Sequence, residues 1–244
     1  MKLTDFSVLT FDCYGTLIDW EGGIYSALAP LLSKVTAMSR DEALQHFAEE
    51  ESSQEAQTPD MPYNLILVHV YQRLAKRWGA NITRVEANIF GASVPDWPEF
   101  ADSVGALQYL KKYYKLVILS NVDRLSFRGS NVRLQTAFDG IYTAQDIGSY
   151  KPDLRNFDYM LAHAKEDFGA EKNQILHVAQ SLFHDHAPAN QKGLASVWID
   201  RRHDQDGWGA TMPPPNASQG GPQYNWRFTS MADFAKAHQD QLRA

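Results

Sequence analysis

Residues 8–17 read VLTFDCYGTL, a stretch in which an apolar run leads directly into a carboxylate. The first four residues are rich in β-branched and aromatic side chains, which favours a buried β-strand, and Gly15 then interrupts the run. In open α/β sheets, ligands bind beyond the carboxyl ends of the strands. The pattern therefore predicts a strand that carries Asp12 into a ligand site, although an aspartate here also suits an Asx turn or a helix cap.

The bulk properties exclude several classes of protein. The chain has 244 residues and a formal net charge of −6, so it lacks the basic surface typical of nucleic-acid binding. No apolar stretch approaches the roughly 18 residues that span a membrane, and the first residues do not resemble a signal peptide. Cys13 is the only cysteine, which rules out an intrachain disulfide. We expect a cytoplasmic protein with no nucleic-acid or membrane partner.

Strand-like runs recur along the chain, and segments of helical periodicity separate them. The predicted strands are Val8–Asp12, Leu116–Ser120, Gly140–Thr143, Ile175–Ala179 and Ser196–Ile199. Strands that alternate with helices predict βαβ units and a parallel sheet. We therefore predict an α/β core domain formed by residues 1–17 and 96–244.

The interval 18–95 breaks this rhythm because it contains almost no strand pattern. Its predicted helices are Ile24–Ser33, Arg40–Glu50, Tyr63–Trp78 and Asn81–Asn88. We interpret residues 18–95 as a helical domain inserted after the first strand. A later segment, 204–225, is rich in Gly, Pro, Asn and Gln, which predicts an irregular loop.

Polar side chains stand at the ends of four predicted strands. In chain order they are Asp12 with Thr16, Ser120 with Asn121, Lys151, and Asp185. Each alone is compatible with a turn, a solvated loop or a helix cap. Four such features in this order indicate a shared site at one edge of the sheet.

In these ordered motifs and in the helical insert, the chain resembles the haloacid dehalogenase (HAD) superfamily, and most closely its type II (S)-2-haloacid dehalogenases. The resemblance covers nearly the whole chain. It implies a Rossmann-like parallel sheet, the HAD fold, beneath a helical cap. It also implies a small anionic substrate, and homodimers, which are common in this family.

The residue types suit covalent hydrolysis. A carboxylate is a weak nucleophile, so Asp12 needs a fixed position and a cation that keeps it ionised, a role suited to Lys151. Thr16 is expected to hydrogen-bond one carboxylate oxygen. Ser120 and Asn121 supply donors for an anionic substrate or leaving group. Attack by Asp12 on carbon or phosphorus would form an ester or acyl phosphate that water then hydrolyses.

The choice between carbon and phosphorus depends on two positions. Phosphatases of the superfamily usually carry a second aspartate where this chain has Tyr14, and an acidic metal ligand where it has Gln180. We therefore expect no metal cofactor. If magnesium binds, the expected ligands are Asp12, the backbone carbonyl of Tyr14 and Asp185, supplemented by water.

The resemblance to a working dehalogenase is incomplete at the cap. In that family an arginine from the first cap helices holds the substrate, whereas this region reads HFAEEESSQE and has no arginine after Arg40. Arg73, Arg77 and Arg124 are the candidate replacements. The family's tyrosine six residues after the lysine is Phe157 here.

The residues around Asp185 allow other interpretations. The sequence His184-Asp185-His186 suggests zinc, but neighbouring side chains at a strand-to-helix turn point in different directions and cannot easily ligate one ion. We expect His184 to line the pocket as a neutral imidazole instead. Tyr14 and Trp20 are the aromatic residues that we predict to line the substrate pocket.

Three functions remain open from the sequence. The leading hypothesis is a hydrolase with Asp12 as covalent nucleophile, acting on small 2-haloacids. The second is a magnesium-dependent phosphatase of a small phosphate ester. The third is a degenerate member that binds an anion or a protein partner without turnover.

Overall fold

The structure, a computed structural model, describes residues 1–243, and its centre is a parallel sheet of six strands in the order β3-β2-β1-β4-β5-β6. The strands are β1 (Val8–Phe11), β2 (Lys115–Ser120), β3 (Gly140–Thr143), β4 (Ile175–Ala179), β5 (Ala195–Ile199) and β6 (Trp226–Phe228). Every neighbouring pair runs parallel. The predicted α/β fold class is therefore confirmed.

Both faces of the sheet are buried, which explains the continuous apolar runs in its central strands. Along β2, Leu116 and Ile118 pack into one apolar cluster while Val117 and Leu119 pack into another. This alternation follows the two-residue period of a strand. Because β1 pairs with β2 on one side and β4 on the other, its carboxyl end opens at the middle of one edge of the sheet.

Helices alone fill most of the interval between β1 and β2. They are α1 (Trp20–Ala27), α2 (Ala29–Leu32), α3 (Arg40–Gln57), α4 (Tyr63–Arg77) and α5 (Arg84–Gly91), with α6 (Ser103–Leu110) following. Within residues 1–243, no strand of the sheet lies between 18 and 95. We retain residues 18–95 as the proposed cap and residues 1–17 with 96–244 as the proposed core.

The remaining helices connect the later strands and close the chain. They are α7 (Arg124–Leu134), α8 (Ala144–Ile147), α9 (Leu154–Phe168), α10 (Ala187–Lys192) and α11 (Met231–Arg243). None of the helices within residues 1–243 combines the length and apolarity needed to cross a membrane.

Three predicted helices differ from those observed. The single helix expected over Ile24–Ser33 is two, α1 and α2, and Pro30 lies in the first turn of the second, where its missing N–H is tolerated. The helix expected over Asn81–Asn88 begins at Arg84, where Thr83 and Glu86 form a capping box.

The third difference is that α3 continues seven residues beyond the predicted Glu50, to Gln57. Its last two turns bury Glu51, Gln54 and Glu55, polar residues that a sequence pattern assigns to solvent. Strand β6 was also not predicted. It is three residues long and follows the irregular segment 204–225, so its period-2 pattern is too short to recognise.

Trp97 joins the proposed cap to the core where the chain returns to the sheet. It is 2 % exposed, and its ring packs edge-on against Tyr14 with centroids 5.7 Å apart. Its indole N–H donates to Ser93 Oγ at 3.1 Å. The backbone of Gly23 in α1 lies so close that an added Cβ would sit 2.3 Å from the Trp97 ring.

We expect Gly23→Ala to lower the free energy of unfolding by about 1–3 kcal/mol, because the buried Trp97 cannot move without disturbing its neighbours. Gly105→Ala, in the interior of α6 with open space around the added Cβ, is the matched control. It should raise stability by roughly 0.5–1 kcal/mol through helix propensity. Urea unfolding of the two variants checks this, and a Gly23→Ala protein as stable as wild type would contradict it.

Candidate active site

Asp12 follows β1 directly at the carboxyl edge of the sheet and is 6 % exposed. Its backbone N–H donates to Val178 O at 3.1 Å, so the neighbouring strand fixes the start of the loop. Oδ1 accepts a hydrogen bond from Lys151 Nζ at 2.9 Å, and Oδ2 accepts one from Thr16 Oγ1 at 2.7 Å. The carboxylate is thus held at both oxygens.

The Lys151 ammonium group lies between two carboxylates and is 1 % exposed. Nζ donates to Asp12 Oδ1, to Asp185 Oδ1 at 2.7 Å and to Leu119 O at 3.0 Å. An ammonium has three N–H donors, so all of them are used. Lys151 is therefore oriented by the core itself and not by a ligand.

Asp12, Lys151 and Asp185 form a triad of buried charges, and their mutual attraction offsets part of the cost of burying each charge. Burial lowers the pKa of Lys151, but Asp12 and Asp185 outweigh it and raise that pKa above its ordinary value. Burial likewise opposes ionisation of Asp185, yet the charge of Lys151 and a hydrogen bond from His177 hold its pKa well below normal. For Asp12, burial raises the pKa, and Lys151 and Thr16 oppose that rise. Asp185 is the strongest acid of the three groups.

Asn121 holds the backbone of Lys151 with both ends of its amide. Its Nδ2 donates to Lys151 O at 3.0 Å, and its Oδ1 accepts from Lys151 N at 2.7 Å. The sequence predicted Asn121 and Ser120 as substrate donors. Asn121 borders the cavity but its amide is committed to Lys151, and Ser120 Oγ is buried with no hydrogen-bond partner among residues 1–243.

Asp185 is supported from beneath by a chain of side chains that the sequence did not reveal. His177 Nε2 lies 2.9 Å from Asp185 Oδ1, and His177 Nδ1 lies 2.8 Å from Thr10 Oγ1. His177 and Thr10 face each other across β4 and β1 in register. Both residues belong to strands, where a polar side chain in an apolar run is the only indication of such a role.

The two histidines that flank Asp185 diverge, as expected for adjacent positions of a tight turn. His184 lines the cavity, and burial lowers its pKa to about 4, so its imidazole is neutral near pH 7. His186 is turned inward, with Nδ1 2.9 Å from Ser196 Oγ and Nε2 3.0 Å from Ala179 O.

A small, partly open cavity lies above Asp12. Its lining includes the predicted residues Asp12, Tyr14, Trp20, Asn121, Lys151, His184 and Asp185. It also includes Ser181 and three residues of the interval 18–95 that were not predicted, Glu51, Glu55 and Tyr63. Glu51 and Glu55 are spaced i, i+4 and share one face of α3, but the predicted helix ended at Glu50. The sequence therefore indicated neither their shared face nor its position beside the cavity.

The three arginines proposed to replace the missing cap arginine do not line the cavity. Arg73 pairs with Glu50 at 2.6 Å and Arg77 with Glu49 at 2.7 Å. Arg124 pairs with Asp146 beyond β3. Each is already neutralised by a carboxylate away from Asp12, so none serves as the substrate's cation.

The donor set around Asp12 does not fit magnesium well. Across the described part of the chain, no three His, Cys, Asp or Glu side chains are arranged to hold a metal ion. The Lys151 ammonium lies between Asp12 and Asp185, and both Asp12 oxygens accept hydrogen bonds. Of the carboxylate oxygens of Asp12 and Asp185, only Asp185 Oδ2 is buried without a hydrogen-bond partner in residues 1–243, whereas the ion needs near-octahedral oxygen ligation.

Solved structures share this fold over almost the whole chain. A defluorinating L-2-haloacid dehalogenase is 18 % identical, with 100 % of this chain and 98 % of that chain covered and a TM-score of 0.75. An L-2-haloacid dehalogenase from Xanthobacter autotrophicus is 14 % identical, with 96 % and 98 % covered and a TM-score of 0.75. The HAD-hydrolase YfnB from Bacillus subtilis, bound to magnesium, is 14 % identical, with 96 % and 99 % covered and a TM-score of 0.72. At these identities the likeness shows the fold alone.

No curated protein matches the chain in sequence. The family model of haloacid dehalogenase-like hydrolases, however, matches residues 6–179, which is more than half of the chain and includes Asp12, Lys151 and the strand that precedes Asp185. This protein belongs to the haloacid dehalogenase-like hydrolase family.

Proposed function

We propose that the protein is a hydrolase in which Asp12 displaces halide from the 2-carbon of small 2-haloacids. The observation that carries the proposal is the buried Asp12–Lys151–Asp185 triad beneath a small cavity. A carboxylate that is fixed at both oxygens beside a permanent cation has the position and the ionisation that a nucleophile needs. The family to which the chain belongs supports the hydrolase assignment.

In the first step of the proposed reaction, an Asp12 oxygen attacks the carbon that bears the halogen. A carbon–oxygen bond forms, the carbon–halogen bond breaks, and halide leaves with the bonding electrons. The product is an ester of the substrate with Asp12. Lys151 stays paired with Asp185 as Asp12 loses its charge, so the ammonium remains compensated during the step.

In the second step, water attacks the Asp12 ester carbonyl and releases a 2-hydroxy acid. The overall change is substrate plus water giving hydroxy acid, halide and a proton. We assign His184 as the residue that orients this water, because its neutral imidazole lines the cavity beside Asp185. Lys151 and Thr16 stabilise the Asp12 carboxylate that is regenerated.

Tyr14 favours halide over phosphate-ester substrates. An alkoxide leaving group needs a general acid, whereas halide leaves without a proton. The Tyr14 hydroxyl lies 2.9 Å from Ser130 Oγ, and burial raises its pKa well above normal, so it is a poor acid. The observation that favours a phosphatase instead is the unpartnered Asp185 Oδ2, which has a lone pair free for a metal.

We expect Asp12→Asn to abolish turnover of 2-chloropropionate, with a loss on the order of 10⁴-fold, because the amide lacks the charge that attack requires. The nearly isosteric side chain should leave the fold intact. Initial rates and circular dichroism of the variant check the two expectations.

Isotope labelling tests the covalent step itself. Multiple turnovers of the wild-type protein in H₂¹⁸O should place ¹⁸O in the Asp12 carboxylate, since water opens the ester at the aspartyl carbonyl. Peptide mass spectrometry of the quenched protein measures the label, and residual activity of Asp12→Asn is checked for deamidation in the same way. Turnover without label in Asp12 would contradict the mechanism.

We also expect 2-chloropropionate turnover to persist in excess chelator. Displacement of halide by Asp12 crowds less negative charge than attack on a phosphate dianion, so the Lys151 ammonium suffices. Chloride release with and without chelator, beside a panel of phosphate esters with and without magnesium, measures this. Phosphate release that requires magnesium, with no chloride release, would establish the phosphatase instead.

A further inference from the structure

Two glutamates from α3 form the cap side of the cavity. Glu51 and Glu55 are 4 % and 6 % exposed, lie one helical turn apart, and face the cavity opposite Asp12 and Lys151. Neither has a part in the reaction described above. We refer to them as the glutamate pair.

The glutamate pair has no cation of its own. Tyr63 donates its hydroxyl to Glu51 Oε1 at 2.5 Å, and the Glu55 carboxyl makes no side-chain hydrogen bond within residues 1–243. Lys151 is committed to Asp12, Asp185 and Leu119 O. The carboxyl group of Glu55, 6 % exposed and bordering the cavity, is thus available to hydrogen-bond a molecule in the cavity.

Burial favours the neutral form of both carboxyl groups. Burial raises the pKa of Glu51 to about 8. Burial and then the charge of Glu51 raise the pKa of Glu55 well above its ordinary value. These shifts favour the protonated form, a carboxylic acid with an O–H donor, which is the state in which a buried acid can hydrogen-bond an anion.

We propose that Glu51 and Glu55, as neutral acids, donate hydrogen bonds to the carboxylate of the substrate and so determine the specificity of the cavity for small carboxylates. This inference rests on the proposed function. It explains how a haloacid is held although no arginine lines the cavity. The two carboxylic acid groups take the place of the guanidinium group of the missing arginine. The cavity can bind an anion only while both glutamates are protonated.

Most of the other titratable groups that face the glutamate pair do not change their ionisation in the pH range of the experiment, so they do not mask the titration of the pair. Tyr63 and Tyr150 have raised pKa values, chiefly because of burial, and stay neutral. His184, with a pKa of about 4, is also neutral above pH 6. Lys151 and Asp185 stay ionised, since their pKa values are shifted away from neutrality.

Asp12 is the remaining group that faces the cavity, and burial raises its pKa too. Its ionisation would also weaken the binding of an anion as the pH rises. Gln variants at positions 51 and 55 separate the two contributions, because any pH dependence that they retain belongs to Asp12.

Three isosteric probes test the inference without turnover. They are propionate, propionamide and propylammonium, titrated against the full chain by ligand-detected NMR from pH 6 to 10. We expect propionate to bind at pH 6.5 and to lose affinity about tenfold per pH unit above pH 8, because binding requires a bound proton. Propionamide should show no such loss. Propylammonium that binds more tightly than propionate, with affinity rising with pH, would overturn the inference in favour of a cationic substrate.

Variants of the pair locate the donors. Glu55→Gln, which keeps an N–H donor, should retain propionate binding within about threefold at pH 6.5 and show a weaker decline with pH. Glu55→Leu, which has no donor, should lose at least tenfold, since it leaves the bound anion unpaired. Glu50→Gln is the matched control, because Glu50 lies on α3 but pairs with Arg73 away from the cavity. Wild-type binding by Glu55→Leu would contradict the proposal.

The pH dependence of the stability of the protein provides an independent test of whether Glu51 is protonated in the folded state. A carboxyl whose pKa is raised in the folded state contributes stability that is complete below the unfolded pKa of about 4.3 and is lost as the pH rises through about 8. The Tm of the wild type should therefore fall from pH 5 to pH 9 more steeply than the Tm of Glu51→Gln. Equal slopes would show that Glu51 is not protonated in the folded protein.

The two proposals fail separately. Propionate binding with the expected pH profile, but no halide release from any 2-haloacid, removes the proposed dehalogenation and retains the carboxylate site. Turnover of 2-chloropropionate by Glu55→Leu with unchanged KM removes the role of the glutamate pair and retains Asp12 as nucleophile.

Discussion

Lys151 places its ammonium group within 2.9 Å of Asp12 and 2.7 Å of Asp185, almost wholly out of water. An isolated buried charge is very costly, so each member of this triad depends on the other two. Loss of either aspartate would leave Lys151 with one carboxylate, and loss of Lys151 would leave two carboxylates facing each other. The same dependence opposes the rise that burial imposes on the pKa of Asp12.

Three strands and one amide hold the triad in place. Asp12 follows β1, Leu119 O on β2 accepts from Lys151, and His177 on β4 supports Asp185. Asn121 fixes the Lys151 backbone at both its N–H and its carbonyl. Because parallel strands end at a common edge, side chains far apart in sequence meet there without long or flexible connections. The triad is therefore held by the sheet and by the residues next to its strands.

The helical interval 18–95 lines the cavity with glutamates where an arginine was expected. Arg73 and Arg77 pair with Glu50 and Glu49, while Glu51 and Glu55 turn toward the cavity. An ionised glutamate repels an anion, but burial raises the pKa of both glutamates and favours the protonated form, which is a hydrogen-bond donor. Burial thus changes which ligands this surface can bind, with no change of residue type.

The sequence by itself determined the fold class, the positions of five of the six strands along the chain and the helical interval after β1, because hydrophobic periodicity is a local property. It also predicted that Asp12, Lys151 and Asp185 share a site at one edge of the sheet. Asp12 does follow a strand directly, but Lys151 comes after α8 and Asp185 lies in the helical turn Leu182–His186, not at the ends of strands. Only the tertiary structure decided which face of α3 is buried, that Asn121 holds Lys151, and that His177 and Thr10 support Asp185. Those outcomes depend on contacts between segments that are distant in sequence and on the burial that these contacts cause. The spacing of residues along the chain does not reveal either the contacts or the burial.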